Sequence, residues 1–91
     1  MNYWINKTDQ IINIDGNTSW YKNGQLHRDN DLPAVIWNDG SQFWYQYGKR
    51  HRDNDLPAVI LTNGSQFWYQ YGKFIKRKTV AQTGRILDEL F

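Results

Sequence analysis

The feature that most constrains this chain is a nearly perfect internal repeat. Residues 27–49 read HRDNDLPAVIWNDGSQFWYQYGK, and residues 51–73 repeat them with three changes in twenty-three positions. The changes are Trp37/Leu61, Asn38/Thr62 and Asp39/Asn63. A self-match at one fixed spacing, 24 residues here, is typical of repeat proteins, in which each copy forms one unit that stacks on its neighbours. A more divergent copy precedes them at about residues 10–26, so the first, second and third copies in chain order are residues 10–26, 27–49 and 51–73. We therefore expect a single domain over residues 1–91 with three stacked units.

Each copy carries the sequence signal of a β-hairpin. An Asp-Gly or Asn-Gly dipeptide lies at the same place in every copy, at Asp15-Gly16, Asp39-Gly40 and Asn63-Gly64. Such dipeptides tolerate the positive φ that tight hairpin turns need. β-Branched and aromatic residues flank the turns, for example over residues 34–37 and 42–47, and these residue types suit a pleated sheet. The chain is therefore predicted to be mainly β, an antiparallel meander of three hairpin repeats.

The type of turn decides which residues share a face of that sheet. A two-residue turn places Ile36 opposite Phe43, and Ala34 opposite Tyr45. A three-residue loop with a glycine bulge shifts the pairing and changes the residues on each face. The sequence leaves both alternatives open, although the alternation within each strand is the same in either case.

A repeated loop joins each hairpin to the next, over residues 24–32 and 48–56. A glycine ends the second strand of each copy, at Gly24, Gly48 and Gly72. The Asp-Asn-Asp segments at 29–31 and 53–55 supply side-chain oxygens that bond nearby backbone amides. A proline follows each of them and favours an extended start to the next strand. We expect these loops to lie along one edge of the sheet.

The last part of the chain has a different pattern, which predicts a helix over residues 79–90. Thr79 can serve as its N-cap. Residues at helical spacing follow, at Val80, Thr83, Leu87 and Leu90. Gly84 costs roughly 1 kcal/mol relative to alanine inside a helix, so this helix needs packing to hold it. The predicted fold class is therefore α+β, with the C-terminal helix covering one face or the open end of the sheet.

Composition narrows the class of protein. The chain has no cysteine, so neither a disulfide nor a thiolate metal site can form. No apolar run approaches the roughly 18 residues of a membrane span, and the N-terminus lacks a signal-peptide core. We therefore expect a cytoplasmic protein without a membrane span. The net charge of +2 does not by itself indicate nucleic-acid binding, whereas the aromatic share of 16% is unusual and must fill a small core, a surface, or both.

Two segments carry a resemblance to a known family. Residues 20–24, WYKNG, and residues 45–48, YQYG, place a glycine shortly after aromatic residues at the repeat spacing. In this they resemble MORN-type repeats, in the divergent form of large DNA viruses, phages and bacteria, over about residues 11–73. The family's usual glycine after the histidine is replaced by Arg28 and Arg52, and the Asp-Asn-Asp-Leu-Pro-Ala segment is extra. The resemblance implies an elongated sheet of hairpins that binds proteins, or in some cases anionic lipid.

The His-Arg-Asp motif at residues 27–29 and 51–53 invites a catalytic interpretation. A general acid or a metal site needs a second type of ligand and a cleft. The simpler interpretation is structural, with each histidine bonded within its own turn and each arginine paired with a nearby aspartate. Because the sequence shows no nucleophile–base pair, metal-ligand constellation or phosphate-binding loop, we expect a non-enzymatic protein that needs no cofactor or metal.

The aromatic ladder of the two near-identical copies is the candidate binding surface. It comprises Phe43, Tyr45, Tyr47, Phe67, Tyr69 and Tyr71. The basic residues near it are Lys49, Arg50, Arg52, Lys73, Lys76 and Arg77. Tyrosine and tryptophan dominate interface hot spots, and one helix cannot cover both faces of a six-stranded meander. We therefore predict that the uncovered aromatic face binds a partner.

The predicted function is a protein–protein interaction module. A small binder carried by a phage or mobile element, such as an anti-CRISPR-like inhibitor of a host nucleoprotein complex, is one setting that fits so short a chain. The alternative is a binder of single-stranded nucleic acid or of an anionic surface, in which bases stack on the rings and cations follow the phosphates. Hairpin arrays also expose edge strands that can pair with another copy, so the sequence leaves the oligomeric state open.

Overall fold

The structure is a computed structural model and describes residues 9–80. In this part of the chain the protein has ten β-strands and no helix, so the prediction of a mainly β fold is confirmed. The strands are β1 (Asp9–Ile14), β2 (Asn17–Lys22), β3 (Gln25–Leu26), β4 (Val35–Ile36), β5 (Gln42–Phe43), β6 (Tyr45–Gln46), β7 (Lys49–Arg50), β8 (Val59–Ile60), β9 (Gln66–Gln70) and β10 (Lys73–Lys78). The described part is flat and elongated, 53 × 26 × 17 Å, which leaves little room for a hydrophobic core.

Eight of the ten strands form one antiparallel sheet. Its order is β1-β2-β4-β5-β8-β9-β10, with β3 paired to β2, while β6 and β7 form a separate two-stranded ladder. Apart from the short strands β3, β6 and β7, neighbours in the sheet follow chain order. The predicted antiparallel meander is therefore confirmed, and successive repeats follow one another along the sheet.

The two near-identical copies use the longer of the two turns left open by the sequence. Phe43 pairs with Val35, whereas a two-residue turn would pair it with Ile36. The register is therefore shifted by one residue from that of a two-residue turn. Gly40 closes the resulting three-residue loop with a φ of 94°, in the region that favours glycine. Val59 and Phe67 pair in the same way in the next copy. Val35 and Phe43 consequently share a face, and Ile36 lies on the other.

The first copy has the shorter turn. Asp15 adopts a φ of 55° and, with Gly16, forms a two-residue turn. In the second copy the equivalent Asp39 instead uses its Oδ1 to accept the backbone N–H of Ser41 at 2.8 Å, a bond that closes the three-residue loop. Equivalent Asp-Gly dipeptides thus form two different turns, so the dipeptide alone does not fix the register.

Each copy also contains a second hairpin, which was not predicted from the sequence. Its two-residue turns have positive φ at both positions and are Asn23-Gly24, Tyr47-Gly48 and Tyr71-Gly72. They join β2 to β3, β6 to β7, and β9 to β10. The predicted strand-ending glycines are therefore the second residues of tight turns, and the chain doubles back before it enters the Asp-Asn-Asp loop.

The thin interior combines a few apolar side chains with buried serines and histidines. Ala34 and Ala58 have no solvent exposure, and their carbonyls accept the backbone N–H groups of Trp20 and Trp44 at 2.8 and 2.7 Å. Among residues 9–80 the other buried residues, apart from the two prolines, are Phe43, Trp44, Val59, His27, Ser41, His51 and Ser65. Hydrogen bonds between copies therefore contribute to cohesion alongside apolar burial.

The predicted C-terminal helix lies outside the described residues from residue 81 onward. Its first two residues, Thr79 and Val80, are described and are not helical. The backbone N–H of Val80 donates to Oγ of Ser65 at 3.1 Å, which ties this end of the chain to the third copy. The helix itself stays a prediction.

Candidate functional site

Each of the two histidines links the start of its copy to the second hairpin turn of the same copy. Nδ1 of His27 accepts the backbone N–H of Tyr47, twenty residues later, at 3.0 Å. Its other ring nitrogen, Nε2, therefore carries the hydrogen and donates to Oδ1 of Asp29 at 2.8 Å. His51 makes the same pair of bonds one repeat later, at 3.1 and 2.7 Å. The bond to the aspartate is the one predicted within the loop, whereas the bond to the tyrosine turn was not predicted.

These bonds hold two tyrosines in an unusual backbone conformation. Tyr47 and Tyr71 have φ angles of 51° and 45°, a left-handed conformation that is rare for aromatic residues. The rings of His27 and His51 contact the two tyrosine rings with centroids 4.5 and 3.8 Å apart. The N–H of Gly48, the next residue, donates to a backbone carbonyl of the preceding copy at 2.8 Å. The turn is therefore fixed by the copy beneath it.

Both tyrosine side chains nevertheless face solvent. Tyr47 is 60% exposed and Tyr71 is 62% exposed, although their turns are firmly bonded. Lys49 and Lys73 follow the two turns and are also exposed. A Cβ placed on Gly72 would lie 3.7 Å from Cβ of Lys49, so successive turns are adjacent. These four residues, which we call the tyrosine–lysine strip, repeat along one side of the array.

The remaining rings of the predicted ladder do not form one exposed face with them. Phe43 is buried, and Tyr45, Phe67 and Tyr69 are half-buried. The guanidinium of Arg50 lies 5.2–5.6 Å from the ring centroids of Phe43, Tyr45 and Tyr69 and donates from Nε to the Tyr45 hydroxyl at 3.3 Å. The structure thus separates the ladder into supporting rings and the two exposed tyrosines.

A second periodic feature stacks cations on tryptophans. The guanidinium groups of Arg28 and Arg52 lie 3.7 and 3.8 Å from the ring centroids of Trp20 and Trp44. In the third copy the equivalent pair is Lys76 over Trp68, at 4.8 Å. These distances are those of cation–π contacts. Arg52 and Lys76, like Arg50, are predicted binding cations that have structural contacts instead.

Arg52 also joins two Asp-Asn-Asp loops. Its Nε and a terminal nitrogen donate to the two carboxylate oxygens of Asp31, in the preceding copy, at 2.9 and 3.2 Å. Another bond runs to the carbonyl of Pro57 at 3.1 Å. Arg52 therefore pairs with an aspartate of the preceding copy, whereas the prediction paired each arginine with a nearby aspartate of its own loop.

Two grooves lie beside the stacked tryptophans, one at Trp44 and one at Trp68. One groove has a volume of about 170 Å³ and the other about 350 Å³. The first is lined by Asp29, Asn30, Asp31, Trp44, Gln46, His51, Arg52, Asp53 and Asn54, and the second by Asp53, Asn54, Asp55, Trp68, Gln70 and Ile75. The two linings largely correspond through the 24-residue offset, so successive loops lie side by side as predicted.

Hydrogen bonding perturbs the titration of one loop carboxylate. The bond from His27 lowers the pKa of Asp29 below its ordinary value, slight desolvation opposes the shift, and the nearby positive charge of Lys22 adds to it. The Lys22 ammonium lies 3.7 Å from the carboxylate. Asp29 is therefore held in its charged form as the acceptor for His27.

Other types of site are not found in the described part. Among residues 9–80, no group of three histidine, cysteine or acidic side chains is arranged to hold a metal ion. The same residues include no helix with the length and apolar character needed to cross a bilayer. Comparison with protein-family models, with curated proteins and with solved structures finds no match to this chain. The resemblance to MORN-type repeats stays a prediction.

Proposed function

We propose that this protein is a non-enzymatic interaction module that binds another protein through the tyrosine–lysine strip. The observation that carries the proposal is the exposure of Tyr47 and Tyr71, 60% and 62%, on turns that are fixed by hydrogen bonds. Tyrosine offers a large contact area and a polar tip at low conformational cost. Because the turns are already ordered, little entropy is lost when a partner docks.

The charges of the strip favour an acidic partner surface. Neither Lys49 nor Lys73 has an ion-pair partner among residues 9–80. Both ammonium groups are therefore available to carboxylates that approach the tyrosines. Paired charges at the rim of an interface speed association and fix orientation, while the rings supply most of the affinity.

The surroundings of the histidines favour binding over catalysis. Both ring nitrogens of His27 are hydrogen-bonded, to Asp29 and to the N–H of Tyr47. The imidazole is buried, with 4% of its surface exposed. A general base needs a free nitrogen within reach of a substrate, so we assign the histidines to the scaffold that presents the tyrosines.

Replacing both exposed tyrosines with asparagine tests the proposal. Asn23 occupies the equivalent turn in the first copy with a φ of 53°, so asparagine suits this backbone. Tagged wild-type protein is used to capture partners from a lysate, washed at low and at high salt. We expect Tyr47→Asn/Tyr71→Asn to lose a stoichiometric protein partner that the wild type retains.

The matched control is Leu32→Ala/Leu56→Ala. These exposed leucines also lie one repeat apart, but outside the strip. If the control loses the partner and the tyrosine variant keeps it, the binding surface lies at the Asp-Asn-Asp loops instead. Identification of the partner also tests the setting suggested by the sequence, inhibition of a host defence nucleoprotein complex.

Strand β10 supports the alternative of an anionic ligand. Four of its six residues are exposed cations, namely Lys73, Lys76, Arg77 and Lys78. A single-stranded nucleic acid could follow these charges and stack a base on Tyr71. Captured nucleic acid that is lost steeply as the salt concentration rises would favour this function over the first.

A further inference from the structure

The first strand of the sheet has a free edge in the described part of the chain. All six residues of β1 (Asp9–Ile14) are exposed. Within residues 9–80, β1 pairs with β2 and with no other strand. Two isoleucines on it are largely in solvent, Ile11 at 67% and Ile14 at 64%. An exposed apolar edge is a template for another strand.

Hydrogen bonds elsewhere show which backbone groups face outward from β1. The N–H of Trp20 donates to Ala34 and its carbonyl accepts from His27, so both groups point away from β1. Trp20 lies opposite Ile11 in the β1–β2 ladder. In an antiparallel pair, hydrogen-bonded and non-hydrogen-bonded positions alternate. The N–H and C=O groups of Asp9, Ile11 and Asn13 therefore point outward.

This row of groups is self-complementary. We propose that β1 pairs antiparallel with β1 of a second copy of the chain, with Ile11 opposite the partner's Ile11. Asp9 then lies opposite the partner's Asn13, so no like charges meet. Each outward N–H and C=O of residues 9, 11 and 13 finds a partner around a twofold axis. Such an interface closes on itself and gives a dimer.

The opposite edge is a poorer template. Strand β10 carries four cations, and its register shifts between Phe74 and Lys76. Lysines and bulges are the devices by which proteins protect sheet edges. Strand β1 has a regular register throughout and carries one charged residue, Asp9. The difference between the edges favours β1–β1 pairing over β10–β10 pairing or a head-to-tail filament.

A single cysteine tests the register, because the chain contains none. In the proposed register, Ile11→Cys places the two cysteines directly opposite each other, with their Cα atoms about 5.5 Å apart. This separation is within the range of a disulfide. Ile14→Cys is the control, since its two copies would be roughly 20 Å apart in this register. We expect Ile11→Cys to oxidise to a covalent dimer and Ile14→Cys to stay monomeric under the same conditions. Equal cross-linking of both variants would overturn the register.

Sedimentation measures the association itself without any cross-link. The wild type is expected to sediment as a dimer at about 100 μM, and Ile11→Lys as a monomer with an unchanged circular dichroism spectrum, because like charges would meet at the twofold axis. Ile11→Pro is a second variant, which removes an outward N–H but no bond to β2. A monomeric wild type, or polymers in place of dimers, would refute the proposal.

Discussion

Tyr47 is held in a left-handed conformation by His27, which lies twenty residues earlier in the same copy and accepts its backbone N–H at 3.0 Å. Tyr71 and His51 stand in the same relationship at 3.1 Å. A strained turn is thus stabilised by a buried ring at the start of the same copy. The next residue, Gly48, donates its N–H to Leu26 of the preceding copy, so loss of the turn should also weaken the coupling between neighbouring copies.

Replacing His51 should destabilise the fold. His51→Ala removes the acceptor for the N–H of Tyr71 and leaves a cavity beneath its ring, so we expect a loss of about 2–4 kcal/mol in the free energy of unfolding. His51→Asn retains an acceptor near the position of Nδ1 and should lose less. Urea unfolding of both variants measures the difference. Equal losses would mean that the hydrogen bond contributes little beyond the packing.

Alanine variants of two glycines with nearly the same φ distinguish the cost of backbone strain from the cost of steric overlap. Gly16 and Gly24 have φ angles of 82° and 81°, so either alanine variant costs about 1–2 kcal/mol from the left-handed conformation. A Cβ on Gly16 would lie 2.8 Å from Cβ of Asn38, whereas one on Gly24 meets no described atom within 4 Å. We expect Gly16→Ala to lower the melting temperature more than Gly24→Ala. The opposite order would show that the Asn38 contact relaxes easily.

The contacts of Arg52 with Trp44 and Asp31 should stabilise the fold to a degree that depends on the side chain at position 52. Arg52→Met keeps the apolar stem but removes both the cation–π contact and the ion pair, so we expect a loss of about 1–2 kcal/mol. Arg52→Lys should be intermediate, since Lys76 occupies the equivalent place over Trp68. Unfolding followed by tryptophan fluorescence measures the series. A lysine variant as unstable as the methionine variant would contradict this account.

The titration of Asp29 depends on His27. Its pKa is lowered in the folded protein, so the carboxylate contributes stability above the unfolded value of 3.8, and that contribution is lost as the pH falls through the folded pKa. In His27→Asn the main cause of the shift is removed, and we expect the pKa of Asp29 to rise towards 3.8. Carbon-detected NMR of the carboxyl group follows both proteins. An unchanged pKa would assign the shift to Lys22 instead.

The repeat and the turn dipeptides were enough to predict the meander, because both signals are local or periodic. In the two near-identical copies the second hairpin was missed because Tyr47-Gly48 and Tyr71-Gly72 do not resemble turns at their first position. The acceptor that stabilises the positive φ of Tyr47 belongs to His27, twenty residues away in the chain. A local pattern contains no information about such a contact.

The candidate site was predicted in part for a related reason. The alternation of rings was extended through one continuous strand, but in the second copy the strand is interrupted at Trp44, between β5 and β6. Phe43 and Tyr47 therefore do not share an exposed face. The sequence did contain a signal for the role of Lys76. The 24-residue offset aligns Lys76 with Arg52, which indicates that the two side chains make equivalent structural contacts.

The near-identity of the second and third copies means that the contacts between copies are interchangeable. Ala34 and Ala58 accept equivalent bonds from Trp20 and Trp44, and the histidine contacts repeat in the same order. A duplication of residues 51–74 would therefore add a unit whose two neighbours already match it. Gene-level gain or loss of one copy would change the length of the array, and the number of exposed tyrosines with it, while leaving each junction intact. In such a protein the size of the binding surface is open to selection separately from its stability.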